Sequence, residues 1–225
     1  MLFIALFIYA YMQKIILFDL DGTLIDSTKS ILDGFKYAFD IHDKCYPGDD
    51  KVLNLIGHPL EFMFENLGVN KDIVGDFVLS YKKHYKSTYL NTTILLPAAR
   101  KAILEANKFA ILGVVTTKTS LYSKILLDEL GVGEYFKVII GRDDVTFPKP
   151  NAEPINKALN FINQNISKNN IFMIGDTIMD LEAAKNANVN GIGLTCGYGK
   201  FDDLKNYSTN IFKTPLEAVL YIKNL

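Results

Sequence analysis

Net charge is nearly absent from this 225-residue sequence: 24 Lys and Arg against 25 Asp and Glu leave a formal −1. No dense run of Lys or Arg supplies a local positive patch, so nothing marks a nucleic-acid partner, and any small anion must be held by individually placed cations. Cysteine is scarce too. Cys45 and Cys196 stand far apart with no C-x-x-C spacing, which excludes a disulfide framework and suits a reducing cytoplasm. The three histidines, His42, His58 and His84, are scattered through one region and support no structural zinc site. Repeats, low-complexity tracts and domain-separating linkers are missing. No apolar run reaches the roughly 20 residues of a membrane span. The nearest, Met1 to Met12, is uncharged but has neither a basic start nor a small-residue cleavage site. Because a strand begins almost immediately after Met12, residues 1–11 read as an upstream extension or a start-site artefact; if translated, they would cover the core or promote association. What remains, 49% apolar and 22% charged, is the composition of a globular protein with one large domain or a core carrying a modest insertion.

The stretch Lys14 to Ser27, K-I-I-L-F-D-L-D-G-T-L-I-D-S, organises the rest. Ile15 to Phe18 form a short unbroken apolar run, the pattern of a strand buried on both faces of a parallel sheet. It ends in acid. Asp19 and Asp21 leave an extended chain on the same side, and Gly22 allows a sharp turn just beyond them. Two carboxylates converging at a strand's carboxyl end, where open α/β sheets bind ligands, call for a cation or a shared proton. Mg²⁺ is the natural partner, because it takes a few carboxylate oxygens and keeps other positions for water or phosphate.

Asp19-Leu20-Asp21-Gly22-Thr23-Leu24 followed by Asp26-Ser27 resembles the signature of the haloacid dehalogenase superfamily of phosphatases. That resemblance implies three further pieces in fixed order. The first is a hydroxyl at the end of a second strand, and Phe109 to Val115 runs into Thr116-Thr117-Lys118. Thr116 there can cradle phosphate with the following helix N-terminus or simply cap that helix. Thr117 stands where many relatives place Asn, which leaves its backbone N–H as the phosphate donor. The second piece is a lysine near a third strand. Phe136 to Ile140 leads to Phe147-Pro148-Lys149-Pro150, where two prolines fix the backbone around Lys149 and aim its ammonium. The third is an acidic turn after a fourth strand, here Ile171 to Ile174 followed by Gly175-Asp176-Thr177-Ile178-Met179-Asp180.

Between the first strand and the rest, residues 28–93 read as all helical, with apolar positions at three- and four-residue spacing in Ile31 to Phe39, Leu60 to Leu67 and Ile73 to Tyr85. Ser27 and Thr28 are the expected caps of the first of these helices. The expected fold is thus α/β: a doubly wound, mainly parallel Rossmann-like sheet from residues 12–27 and 94–225, with an inserted helical cap at 28–93.

By resemblance, Asp19 is the nucleophile and Asp21 the acid/base. Thr116, Thr117 and Lys149 bind phosphate, and Mg²⁺ is held by Asp19, Asp21 through its carbonyl, Asp176 and Asp180. The Gly57-His58-Pro59-Leu60 turn resembles that of the phosphoglycolate-phosphatase-like branch and makes His58 the candidate cap contact. The implied activity is hydrolysis of a small phosphorylated metabolite, with 2-phosphoglycolate first. Pyrophosphate, other small phosphomonoesters and a phosphosugar mutase reaction follow, and a phospho-switch without turnover is the reading from another class. Neither a nucleic-acid nor a membrane partner is expected, and the assembly is a monomer or homodimer.

Overall fold

The protein is described by a computed structural model over residues 14–225; the stretch 1–11 and Met12 lie outside the described residues. The chain runs β1 (Lys14–Phe18), β2 (Ile25–Asp26), α1 (Thr28–Ile41), α2 (Asp49–Leu53), α3 (Leu60–Asn66), α4 (Val74–Thr92) and β3 (Ile94–Leu95). It continues through α5 (Ala99–Ala106), β4 (Ala110–Val115), α6 (Ser120–Glu129), β5 (Phe136–Ile140) and α7 (Glu153–Ile162). The last elements are β6 (Ile171–Gly175), α8 (Ile178–Asn186), β7 (Asn190–Leu194), α9 (Phe201–Leu204), β8 (Ile211–Phe212) and α10 (Pro215–Lys223).

Six strands form one parallel sheet in the order β5-β4-β1-β6-β7-β8, so β1 lies inside it with neighbours on both edges. Its alternating side chains feed two cores. Ile16 and Phe18 pack with Ile103 of α5 and Val219 of α10, while Ile15 and Leu17 pack with Ile155 of α7 and Ala183 of α8. Helices on both faces explain why Ile15 to Phe18 are apolar without alternation. Register then decides the chemistry. Phe18 lies opposite Val114 on one side and Ile174 on the other, so β1, β4 and β6 end level. Asp19, Thr116 and Asp176 therefore emerge together at the carboxyl edge.

The inserted helices form their own aromatic core, continuous with one of the two sheet cores. Phe35 meets Phe64 at 4.5 Å between ring centroids and Tyr81 at 5.0 Å, while Phe77 meets Phe39 at 5.3 Å and Phe64 at 5.5 Å. Where the chain leaves and re-enters the sheet, the two-residue strands β2 and β3 pair antiparallel, and the Leu96 N–H donates to the Leu24 carbonyl at 2.9 Å. This clasp is invisible to periodicity, because two residues carry no pattern. The start of α1 also differs from expectation. Ser27 makes no cap with its side chain; Asp26 instead accepts from the Thr28 N–H at 2.9 Å, leaving the Ser27 hydroxyl to donate to the Asp21 carboxylate.

Because Phe64 is fully buried among four other rings, Phe64→Ala should cost about 3–5 kcal/mol of unfolding free energy by urea titration. A loss below about 1 kcal/mol would mean that the rings are not a packed core.

Candidate active site

Lys149 stands at the centre of the carboxyl edge. Its buried ammonium lies 2.7 Å from Asp19 Oδ1 and 2.5 Å from Asp180 Oδ1 and donates to the Val115 carbonyl at 3.1 Å, so its three protons have three acceptors. Burial disfavours that charge, but Asp180 and Asp19 outweigh it and hold the ammonium above the ordinary lysine range. Asp180 is fixed by the start of α8: its other oxygen accepts from the Thr177 N–H at 3.0 Å and the Thr177 hydroxyl at 2.8 Å, a reciprocal cap. Asp176 is held separately. Its oxygens accept from the Thr23 hydroxyl and the Tyr198 N–H, each at 2.8 Å.

Oxygens of Asp19, Asp176 and Asp180 lie within 4.8 Å of one another, and all three residues are buried. Among the described residues, Lys149 is the one ammonium bonded to this trio. Burial is the main cause that raises Asp19 to about 7, Asp180 and Asp21 adding to it against the pull of Lys149. Burial, then the charges of Asp19 and Asp180, lift Asp176 well above the ordinary carboxylate range. A cluster of three buried carboxylates, of which Asp19 and Asp176 resist ionisation, offers only oxygen donors and fits a hard divalent cation. The close approach is built into the backbone: Gly22 has φ +81°, and a Cβ there would run into the Asp176 carboxylate.

The Asp21 side chain does not join the trio. It turns toward a small cavity of about 100 Å³ between the sheet edge and the inserted helices, the room of roughly three waters. Asp19, Asp21 and Thr117 line its floor, and Ile56, His58 and Met63 its roof. Thr116, Lys149, Asp176 and Asp180 do not line it. The buried Thr116 hydroxyl accepts from the Lys118 N–H at 3.2 Å. His58 stacks on Phe62 at 4.4 Å, and burial lowers its pKa. At the start of α6 the Thr119 hydroxyl makes no cap; Asp143 accepts from the Ser120 N–H at 2.7 Å.

Three residues of this site have contacts that the sequence did not assign to them. Thr23 and Tyr198 fix Asp176, and Lys118 reaches Asp21 Oδ2 at 3.1 Å. Lys118 follows Thr117 directly, and that adjacency is the one signal that could have marked it.

The sequence pattern of haloacid dehalogenase-like hydrolases matches residues 16–194. A phosphoglycolate phosphatase of Colwellia psychrerythraea is 25% identical over 222 residues, covering 94% of this chain and 97% of the relative. The pyrophosphatase PpaX of Listeria monocytogenes is 35% identical over 178 residues, covering 76% of this chain and 78% of its own. Among solved structures, a haloacid dehalogenase-like hydrolase of Streptococcus pneumoniae superposes with a TM-score of 0.83 at 29% identity, over 92% of this chain and 97% of that one.

Since the raised pKa of Asp176 makes its ionisation work against folding at neutral pH, and no longer does so as pH falls toward the ordinary 3.8, Asp176→Asn should stabilise the metal-free protein. Thermal melts in EDTA near neutral pH should show a higher midpoint for the variant, about 2–4 °C for each kcal/mol of repulsion relieved. The gap should close on acidification, and added Mg²⁺ should raise only the wild-type midpoint. An unchanged or lower midpoint would show that the three carboxylates do not repel.

Proposed function

Because the chain belongs to the haloacid dehalogenase-like hydrolase family, we propose that it is a Mg²⁺-dependent phosphomonoester hydrolase working through an aspartyl-phosphate on Asp19, with 2-phosphoglycolate as its substrate. One observation carries the mechanism: two carboxylates two residues apart meet opposite environments. Asp19 is pinned by Lys149 within the buried trio, whereas Asp21 faces the cavity. The first suits a nucleophile and the second a proton carrier.

Asp19 attacks phosphorus in line, forming the acyl-phosphate bond as the bond to the leaving oxygen breaks. Asp21 gives its proton to that oxygen, then takes one from the water that attacks the acyl-phosphate and releases inorganic phosphate. Lys149 orients the Asp19 carboxylate and faces the negative charge of the transferring group. Phosphate binding is assigned to the Thr116 hydroxyl and the Thr117 N–H, which follow the end of β4. The divalent cation, when bound by Asp19, Asp176 and the Asp21 carbonyl, supplies charge neutralisation. Asp180 serves by holding Lys149.

The cavity supports a short organic leaving group. It is small, and beside the apolar Ile31, Phe35, Ile56, Leu60 and Met63 it is lined by Lys82, Lys118 and Arg142, a mixture that suits a two-carbon leaving group bearing one carboxylate. Pyrophosphate is the second reading, favoured by the 35% identity to the Listeria pyrophosphatase. His58, at the roof, is the candidate contact to the leaving group. Catalysis is assigned to the cytoplasm, with a monomer or homodimer as the working unit. Among the described residues no helix is long and apolar enough to cross a membrane.

Phosphate release should be measured with 2-phosphoglycolate, pyrophosphate and β-glucose 1-phosphate, with Mg²⁺ or EDTA. The expected order is 2-phosphoglycolate, then pyrophosphate, with the sugar phosphate slowest, and activity falling to background in EDTA and in Asp19→Asn. Preference for pyrophosphate would replace the substrate and keep the mechanism, while turnover surviving Asp19→Asn would overturn the nucleophile.

A further inference from the structure

Among the described residues, Lys118 is the one charged side chain that joins the catalytic edge to the inserted helices through Asp21. Its side chain is 9% exposed, yet it is not part of the Lys149 cluster. Its ammonium sits 3.1 Å from Asp21 Oδ2, donates to the Tyr85 hydroxyl at 2.7 Å, and lies 4.5 Å from the centroid of the Tyr85 ring. Removing a lysine from water is costly, so a buried one held by these partners is specified by them.

Tyr85 belongs to α4 and does not move alone. It stacks between Tyr81 at 5.6 Å and Tyr89 at 5.3 Å, one helical turn to either side, and Tyr89 packs on Tyr122 of α6 at 5.6 Å. This ladder fixes the phenol that fixes the ammonium. The other Asp21 oxygen is taken by the Ser27 hydroxyl, at the root of the insertion. Both contacts that aim the Asp21 carboxylate therefore lead into the inserted unit.

We propose that Lys118 is a positioning residue for the reaction at Asp19: by bridging the Asp21 carboxylate to Tyr85 it aims Asp21 at the leaving oxygen, and only while α4 is seated against the sheet edge. The proposal rests on the phosphatase reading above. Its chemical content is specific. As Asp21 gives up its proton a carboxylate develops beside a fixed ammonium, which stabilises the departure of a poor leaving group and does little for one that needs no proton.

The test compares kcat and KM for 2-phosphoglycolate, whose alkoxide must be protonated, with those for acetyl phosphate, whose acetate leaves unaided. Lys118→Met keeps the length and removes the charge; Lys118→Arg restores it. Tyr85→Phe keeps the stacked ring and removes only the hydroxyl, so it reads the same contact without disturbing the fold. For Lys118→Met, kcat/KM, which ends at phosphoenzyme formation and so leaves out the water step common to both substrates, should fall about 10- to 100-fold more on 2-phosphoglycolate than on acetyl phosphate, since acid/base assistance is worth roughly 10² to 10⁴ in all. KM should change little, Lys118→Arg should recover part of the loss, and Tyr85→Phe should move the ratio in the same direction by less. A rise in KM for both substrates with kcat retained would make Lys118 a substrate-binding cation and overturn the proposal. Equal losses of kcat/KM on both substrates would reduce it to a structural lysine and overturn it as well. Asp19→Asn separates the two levels. If it keeps turnover, the phosphatase mechanism falls and the Lys118 role with it; if it is dead while Lys118→Met leaves the ratio untouched, only the Lys118 role falls.

Discussion

Three carboxylates can be buried at one sheet edge because a single buried ammonium is shared among their strands. Lys149 bonds Asp19 after β1, Asp180 after β6 and the Val115 carbonyl at the end of β4. Removing one partner of such a buried pair typically costs about 3–5 kcal/mol, because the remaining charge has no water to turn to. Much of the surrounding structure keeps that geometry. Pro148 and Pro150 bracket the lysine, and the Thr177 cap holds the far oxygen of Asp180. Even so, the ammonium does not balance the trio, and the raised carboxyls of Asp19 and Asp176 express the shortfall. The site is built to be completed by positive charge.

The inserted helices answer a different need. Phosphoryl transfer relies on positioning and charge, both of which gain when water is excluded. A unit with its own aromatic core can cover the site as a body rather than as a loose loop, and the β2–β3 clasp ties its two ends together. On the far side of the cavity, Gly57 packs against Thr177, the residue that caps α8 and anchors Asp180. The unit thus touches the catalytic edge at both flanks: through Gly57 toward the trio, and through Tyr85 and Lys118 toward Asp21.

Much of this was legible in the amino-acid order. A strand buried on both faces leaves an apolar run that no surface strand needs, so β1, β4, β5 and β6 could be read from their apolar runs, and the resemblance picked out the hydroxyl, the lysine and the acidic turn at their ends. What stayed hidden depends on contacts through space. The cap contributed by Asp26 replaces the expected Ser27, and Asp143, far along the chain, caps α6, because the nearest hydroxyl is not always the one facing the free N–H. Strands as short as Ile25–Asp26 and Ile94–Leu95 exist only as a pair. Lys118 carries no pattern of its own; its meaning comes from Tyr85, 33 residues earlier on another element.

The different surroundings of Asp19 and Asp21 trace to one turn. In an unbroken strand the two side chains would share a side and an environment, and both would compete for the same cation. The chain instead leaves the strand at Leu20, whose carbonyl accepts from the Thr23, Leu24 and Ile25 N–H groups. Gly22 continues this turn with a positive φ and returns its N–H to the Ile25 carbonyl at 2.9 Å, so that Ser27 and Lys118 hold the Asp21 carboxylate while Asp19 stays beside Lys149. The missing Cβ does a second task, because it leaves the space that the Asp176 carboxylate occupies. A side chain at position 22 would therefore strain the turn that follows the two carboxylates and displace a carboxylate of the trio in the same stroke. Conformation and volume both require glycine there, and together they let one short acidic segment supply two chemically distinct carboxylates.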